Sequence, residues 1–250
     1  MIPWLDTRQD DWVFPPQTAA LDEPNGLLCA GGDLKPQTLL RAYEQGIFPW
    51  YSEGQPILWW TPSPRAIFMP GGVHVSRRLR KTLRSKRFSV KLDEDFDSII
   101  GHCAHIERPD QDGTWITDEM IDAYQKLHRL GHAHCLGVYQ NQKLVGGIYG
   151  IAIGRGFFGE SMFSSVSDAS KVALVALAEF LWDQKFGFID AQVESPHISR
   201  MGAQAIDRMK FLQLIAVYCK REGMIGSWRK LVDTVQSPPF AYPQSPTHED

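Results

Sequence analysis

His134-Cys135-Leu136-Gly137-Val138-Tyr139, Lys143-Leu144-Val145-Gly146-Gly147-Ile148-Tyr149-Gly150-Ile151-Ala152-Ile153 and Arg155-Gly156-Phe157-Phe158-Gly159-Glu160-Ser161-Met162-Phe163 follow one another almost without a gap. Apolar, β-branched and aromatic residues fill all three segments, and the connections at Asn141-Gln142 and Gly154-Arg155-Gly156 are short and turn-prone. The stretch predicts three antiparallel strands joined by hairpins. Ahead of it, Thr117 to Leu130 predicts a helix: Thr117 caps it, Asp118 and Glu119 fill the first turn, Met120, Tyr124 and Leu127 face inward, and Gly131 ends it. Behind it, a helix from about Asp168 to Gln184 leads to one more strand, Phe188-Ile189-Asp190-Ala191-Gln192-Val193. Helices, a meander, a helix and a further strand make an α+β sheet domain with a mainly antiparallel sheet.

Further out the pattern is less regular. Residues 1–64 are rich in Pro, Gly and Trp and read as a small α+β domain, with one short helix around Leu39, Leu40 and Tyr43 ending at Gly46. The prolines of Thr61-Pro62-Ser63-Pro64 mark the boundary to a larger domain over 65–236. Two more helices are expected there before the meander, a basic one over Ser76–Lys86 and another over Asp93–His105. A last helix carries Met209, Leu212, Ile215 and Ala216, and the proline-rich tail 237–250 is expected to be mobile.

Composition narrows the classes. A chain of 250 residues has ample core for one large domain or two unequal ones. Its net charge of −3 gives no overall attraction to nucleic acid or membrane, so a polyanion must meet a local patch. The four cysteines are widely spaced with no C-x-x-C pair, which favours free thiols in a reducing compartment. With no signal-peptide pattern at Met1-Ile2-Pro3-Trp4-Leu5-Asp6 and no apolar run of spanning length, a cytoplasmic protein with no membrane partner is expected.

Two strands carry groups that strands normally avoid. Alternation puts Asp190 and Gln192 on one face, and a neighbouring strand presents Glu160. Burying a carboxylate or an amide costs free energy, so the placement suggests a site, although a hydrogen-bonded structural pair has the same pattern. Arg77, Arg80, Lys81 and Arg84 share a helix face by spacings of three and four within a run of seven cations, which suggests phosphate contact. His102, His105 and Cys103, or His132, His134 and Cys135, show none of the usual zinc spacings, so no metal is expected.

The element order is similar to the GNAT acyltransferase fold. Its coenzyme A-dependent members bind pyrophosphate on a glycine-rich turn before the helix that follows the meander. Here that turn is Ser164-Ser165-Val166-Ser167-Asp168-Ala169-Ser170-Lys171, without glycine and with an acid at the helix start, which points to a different acyl donor. Taken in order, Glu23-Pro24-Asn25-Gly26-Leu27-Leu28, Gly31-Gly32-Asp33-Leu34, Gly46-Ile47-Phe48-Pro49-Trp50, Leu58-Trp59-Trp60, Gly113-Thr114-Trp115-Ile116-Thr117, Leu130-Gly131-His132-Ala133-His134, Gly146-Gly147-Ile148-Tyr149-Gly150 and the two polar-bearing strands resemble the leucyl/phenylalanyl-tRNA–protein transferase family over about residues 14–215.

That resemblance implies a small N-terminal domain packed on a GNAT-like domain without cofactor or metal; a monomer is expected. It implies transfer of Leu or Phe from aminoacyl-tRNA to proteins beginning with Arg or Lys, marking them for proteolysis. By the same resemblance, Asp190, Gln192 and Glu160 are catalytic. Ile148, Phe157, Met162, Leu174 and Leu177 hold the aminoacyl side chain, and Trp50 and Trp115 flank the terminal adenosine. In the relay it implies, Asp190 polarises Gln192, whose carbonyl oxygen draws a proton from the amine. An amide oxygen is too weak a base to hold that proton, so the physical reading is that Gln192 aligns the amine and Asp190 stabilises charge developing on nitrogen. Two other classes stay open on the residues alone. An acyl-CoA-dependent N-acyltransferase would need a phosphate-binding turn, and a non-catalytic RNA-binding protein would leave Asp190, Gln192 and Glu160 without purpose.

Overall fold

The computed structural model describes residues 2–8, 13–105 and 116–229. In chain order the elements are β1 (Trp4–Leu5), β2 (Leu27–Gly31), α1 (Pro36–Tyr43), β3 (Phe48–Pro49), β4 (Leu58–Trp60), β5 (Arg65–Phe68), α2 (Arg77–Arg84), β6 (Ser89–Leu92), α3 (Phe96–His105) and α4 (Asp118–Arg129). They continue with β7 (Ala133–Gln140), β8 (Lys143–Ile153), β9 (Gly156–Ser164), α5 (Ala169–Asp183), β10 (Phe188–Gln192), α6 (Pro196–Arg200), β11 (Gln204–Ile206) and α7 (Arg208–Tyr218).

The meander forms as its sequence predicts: β7 pairs with β8 and β8 with β9, all antiparallel, around the turns at 141–142 and 154–155. It is the middle of a seven-stranded sheet in the order β11-β5-β10-β9-β8-β7-β6. Every neighbouring pair is antiparallel except β9 and β10, which run parallel because α5 carries the chain back across the sheet between them. The sheet is therefore mixed rather than purely antiparallel. A separate four-stranded sheet, β1-β2-β4-β3, comes from the first sixty residues.

Two apolar clusters lie on opposite faces of the large sheet. Tyr149, Ile151, Phe158 and Phe163 face α1, α3, α4 and α7 together with the small sheet. Ile148, Ala152, Phe157 and Ile189 face α5, whose buried residues run almost all round its axis. Alternation along each strand assigns neighbours to opposite clusters.

Caps and stops sit close to where the sequence sets them. Thr117 accepts the backbone N–H of Met120 at the start of α4, and Ser76 accepts that of Leu79 at the start of α2. Two expectations are corrected. The helix expected from Asp93 begins at Phe96, since Asp93 and Asp95 take left-handed φ values of 50° and 55°. Asp93 is instead a buried acceptor for His134 Nδ1 and for the backbone N–H groups of Cys135 and Trp228. In α7, Phe211 and Ile215 are the buried residues, and Met209 is exposed. Among the described residues no helix is long and apolar enough to cross a membrane. The expected tail over 237–250 lies outside the described residues.

Candidate active site

Glu160 and Gln192 both stand where strand pairing breaks. Along β8 and β9, Tyr149 pairs with Ser161 but Gly150 pairs with Gly159, so Glu160 is an extra residue in its strand. Along β5 and β10, Ile67 pairs with Asp190 and Ala66 with Gln192, so Ala191 is extra. Gln192 also takes a left-handed φ of 62°, a conformation that costs a non-glycine residue about 1–3 kcal/mol. Bulges re-aim side chains, and these two aim at each other. Gln192 Nε2 donates to Glu160 Oε1 at 2.7 Å. Simple alternation, the basis of the sequence reading, breaks down here, yet Asp190, Gln192 and Glu160 do meet on one face of the sheet.

Their partners differ from those expected. The Asp190 side chain is wholly buried. Its Oδ1 accepts from Arg65 Nε (2.9 Å) and from the Gln192 backbone N–H (2.8 Å), and its Oδ2 from Arg65 Nη2 (2.6 Å). Asp190 thus fixes the backbone of Gln192, while the side-chain amide of Gln192 is held by Glu160. Because Glu160 accepts that bond, the amide nitrogen of Gln192 must face it, leaving the carbonyl oxygen turned away. Glu160 is gripped from two helices besides: Tyr43 of α1 donates to Oε1 at 2.7 Å and Tyr124 of α4 to Oε2 at 2.8 Å. Burial pushes the Glu160 carboxyl up to about 7, with the two phenol hydrogen bonds pulling it down, Asp190 raising it and Arg65 lowering it. Glu160 and Gln192 keep 8% and 9% of their surface.

Arg65, Tyr43 and Tyr124 are site residues that sequence reasoning missed. Both tyrosines sit at inward helix positions and read as core. Arg65 opens an otherwise apolar strand directly after Pro64, which is the one available signal. Its guanidinium is sandwiched between Phe48 and Phe211, 4.7 and 4.6 Å from their ring centroids.

Just past Gln192, Val193 and Glu194 line a hollow of about 160 Å³ together with Phe48, Trp50, Trp60 and Asn25. The Trp50 and Trp60 rings lie 5.5 Å apart with planes tilted by 56°, and Trp60 Nε1 donates to the Trp50 carbonyl. Trp60 is part of the same aromatic wall, whereas Trp59 is wholly buried and its indole N–H donates to the Gly31 carbonyl. Trp115 lies outside the described residues.

Ile148, Phe157, Leu174 and Leu177 are buried in the cluster beneath α5, with the half-buried Met162 packed against them. They occupy the sheet face opposite Glu160, and paired residues of β9 and β10 end at Phe158 and Asp190, where the strands part.

Arg77, Lys81 and Arg84 are exposed along α2, with Arg80 half-buried, and none has an acidic partner among the described residues. The wider run is not free of acids: Arg78 comes within 3.9 Å of Asp168, which also accepts from Lys171 and Thr82. The start of α5, the phosphate seat of an acyl-CoA enzyme, is thus filled by a carboxylate with its own cations.

His102 stacks on Phe163 and His134 on Trp228. Among the described residues no group of three or more His, Cys, Asp or Glu side chains converges on a metal-sized site.

A family model described as leucyl/phenylalanyl-tRNA protein transferase matches residues 67–216, and one for that family's N-terminal domain matches residues 32–63. The chain is 55% identical over 215 residues, 86% of each chain, to the leucyl/phenylalanyl-tRNA–protein transferase of Xanthomonas euvesicatoria. It is 49% identical over 240 residues, 96% of this chain and 93% of the other, to that of Hydrogenovibrio crunogenus. Solved structures give lower-scoring matches. One is L-PGS from Bacillus licheniformis, with TM-score 0.40 and 8% identity over 68% of this chain and 53% of that one. Another is a GCN5-related N-acetyltransferase from Kribbella flavida, with TM-score 0.35 and 11% identity over 68% and 60%. On the family matches and the extent of the identity, this chain belongs to the leucyl/phenylalanyl-tRNA–protein transferase family.

Proposed function

We propose that this chain moves leucine or phenylalanine from aminoacyl-tRNA to the α-amine of proteins that begin with Arg or Lys, working as a monomer in the cytoplasm. The new N-terminal residue marks the product for degradation. The donor is already an activated ester, and an α-amine with pKa of about 7.7–8.0 is partly neutral near pH 7, so the protein's task is placement more than activation. Holding the two reactants in attack geometry supplies roughly 7–11 kcal/mol of the barrier.

Gln192 aligns the amine through its carbonyl oxygen. The observation that supports this best is its fixed amide, held by Glu160 at 2.7 Å on a bulge beside the Trp50 hollow. Asp190, paired with Arg65, steadies the Gln192 backbone instead of meeting the amine itself. Trp50, with Trp115 from outside the described residues, flanks the terminal adenosine, where stacking is worth about 1–3 kcal/mol per base. Ile148, Phe157, Met162, Leu174 and Leu177 receive the aminoacyl side chain through the parting of β9 and β10. Burying a Leu or Phe side chain is worth about 1.5–3 kcal/mol, and Met162 can adapt to either. Arg77, Arg80, Lys81 and Arg84 hold acceptor-stem phosphates without reading sequence.

The deciding assay offers labelled Leu-tRNA and a peptide starting with Arg, with acyl-CoA as a competing donor. Label should pass from the tRNA alone and to the Arg peptide in preference to the same peptide starting with Gly. Transfer from acyl-CoA, or no transfer at all, would overturn the proposal.

A further inference from the structure

Four oxygen atoms beside Gln192 close a ring. Tyr43 Oη is 2.7 Å from Tyr124 Oη and 2.7 Å from Glu160 Oε1, and Tyr124 Oη is 2.8 Å from Glu160 Oε2. All three contacts have hydrogen-bond length, and each needs one hydrogen. Two phenols bring two hydrogens and an ionised carboxylate brings none. With Glu160 ionised the ring is therefore one proton short, and one pair of oxygens faces across it with lone pairs only. The Gln192 amide does not fill the gap, because its hydrogen lies outside the ring on Oε1.

With Glu160 protonated, the count closes. The carboxyl donates to Tyr124, Tyr124 to Tyr43, and Tyr43 to the second carboxyl oxygen, all in one sense, so that each bond strengthens the next. The ring is a receptacle for one proton. We propose that Glu160, closed in this ring with Tyr43 and Tyr124, takes the proton that the acceptor's α-ammonium must lose.

The inference rests on the transfer reaction proposed above and names its proton acceptor. The ammonium gives one proton to the Glu160 carboxylate, and the freed lone pair forms the N–C bond to the ester carbonyl carbon. The C–O bond to the ribose then breaks, and the second surplus proton on nitrogen leaves with that oxygen as a hydroxyl. Glu160 afterwards returns its proton to water, so atoms and charge balance without a co-reactant. Asp190 is excluded from this role: its carboxylate is the charged partner of the buried Arg65 guanidinium, and its side chain has no exposed surface.

The groups facing Glu160 are Tyr43 from α1, Tyr124 from α4, Arg65 from β5, and Asp190 and Gln192 from β10, with Tyr149 from β8 beside the two phenols. Burial, followed by the Glu160 charge, holds Tyr43 and Tyr124 well above the ordinary phenol range, so both stay protonated. A carboxyl at about 7 lies close to an α-amine at about 7.7–8.0, which is where proton transfer between them is efficient.

Two measurements on the full chain test this. Infrared spectra of the free protein between pH 5 and 9 should show a buried carboxylic C=O band that titrates near neutrality. That band should be missing from Glu160→Gln and should shift to higher frequency in Tyr43→Phe, which takes a donor from the carbonyl oxygen. In single-turnover transfer, Glu160→Gln should be slower than wild type by about 10-fold at pH 7, since an α-amine with pKa of about 7.7–8.0 is only about a tenth neutral there. Its deficit should shrink as pH rises past the amine's own titration, where the nucleophile needs no base. A deficit constant across pH, or no carboxyl band titrating near neutrality in wild type, overturns the inference while leaving the transfer reaction standing. A wild-type protein that does not transfer overturns the reaction instead.

Discussion

A carboxylate with no exposed surface has to be paired, and at Asp190 the fork of Arg65 does this on both oxygens. Phe48 and Phe211 close over the guanidinium, so the pair sits in an apolar seam between the small sheet, β5 and α7. Removing one member of such a pair leaves an uncompensated charge and costs about 3–5 kcal/mol, whereas replacing both by apolar residues is often near neutral. Arg65→Met should lower the unfolding free energy by that amount, read as a lower urea midpoint, and Arg65→Met with Asp190→Leu should recover most of the loss. A single variant with an unmoved midpoint would show that the pair does not hold the seam. The sequence shows Asp190 plainly, as an acid inside an apolar strand, but gives no sign of its partner 125 residues away.

Among the elements, α2 is the most legible. Leu79 and Leu83 pack its inner side against the cluster under α5, and apart from Thr82 the remainder is four arginines and Lys81. The short helix and its face of Arg77, Arg80, Lys81 and Arg84 follow from local spacing alone. Reversing charge at Arg80 and Arg84 should weaken tRNA binding and reduce its salt slope by about one for each phosphate no longer neutralised. Filter-binding titrations at several salt concentrations measure both quantities, and an unchanged slope would remove α2 from the RNA surface. The two bulges are elements of the opposite kind. Nothing in Gly159-Glu160-Ser161 or Asp190-Ala191-Gln192 announces an extra residue, because a bulge is defined by the strand beside it. Gly150 is part of the reason the first one fits, since a Cβ there would run into the Phe158 carbonyl.

At the scale of the whole molecule, the described chain closes on Trp228. Its indole is 1% exposed and stacks on His134 at 3.6 Å, and its backbone N–H donates to Asp93 at 2.6 Å. Segment 222–229 is thereby tied to the sheet face that α5 covers. Trp228→Ala should cost about 3–5 kcal/mol of unfolding free energy, as for other buried tryptophans, read as a lower urea midpoint with an unchanged slope. A change in slope would show instead that this segment unfolds on its own. No periodicity in 222–229 marks it as docked, and its aromatic anchor pairs with residues set far earlier in the chain.

The sequence by itself determined the meander, α4 with its Thr117 cap, the courses of α2 and α5, and the family, because all of these rest on neighbours in the chain: alternation, the 3.6-residue repeat, a capping group and ordered motifs. It also brought forward Glu160, Asp190 and Gln192, since polar groups inside apolar strands stand out one residue at a time. Only the tertiary structure decided how these three are wired. The bulges that turn Glu160 toward Gln192, the Arg65 fork on Asp190 and the Tyr43–Tyr124 brace from two helices all depend on strand register and helix packing. A buried group's charge and proton count are set by whatever packs against it, and packing partners have no fixed spacing along the chain.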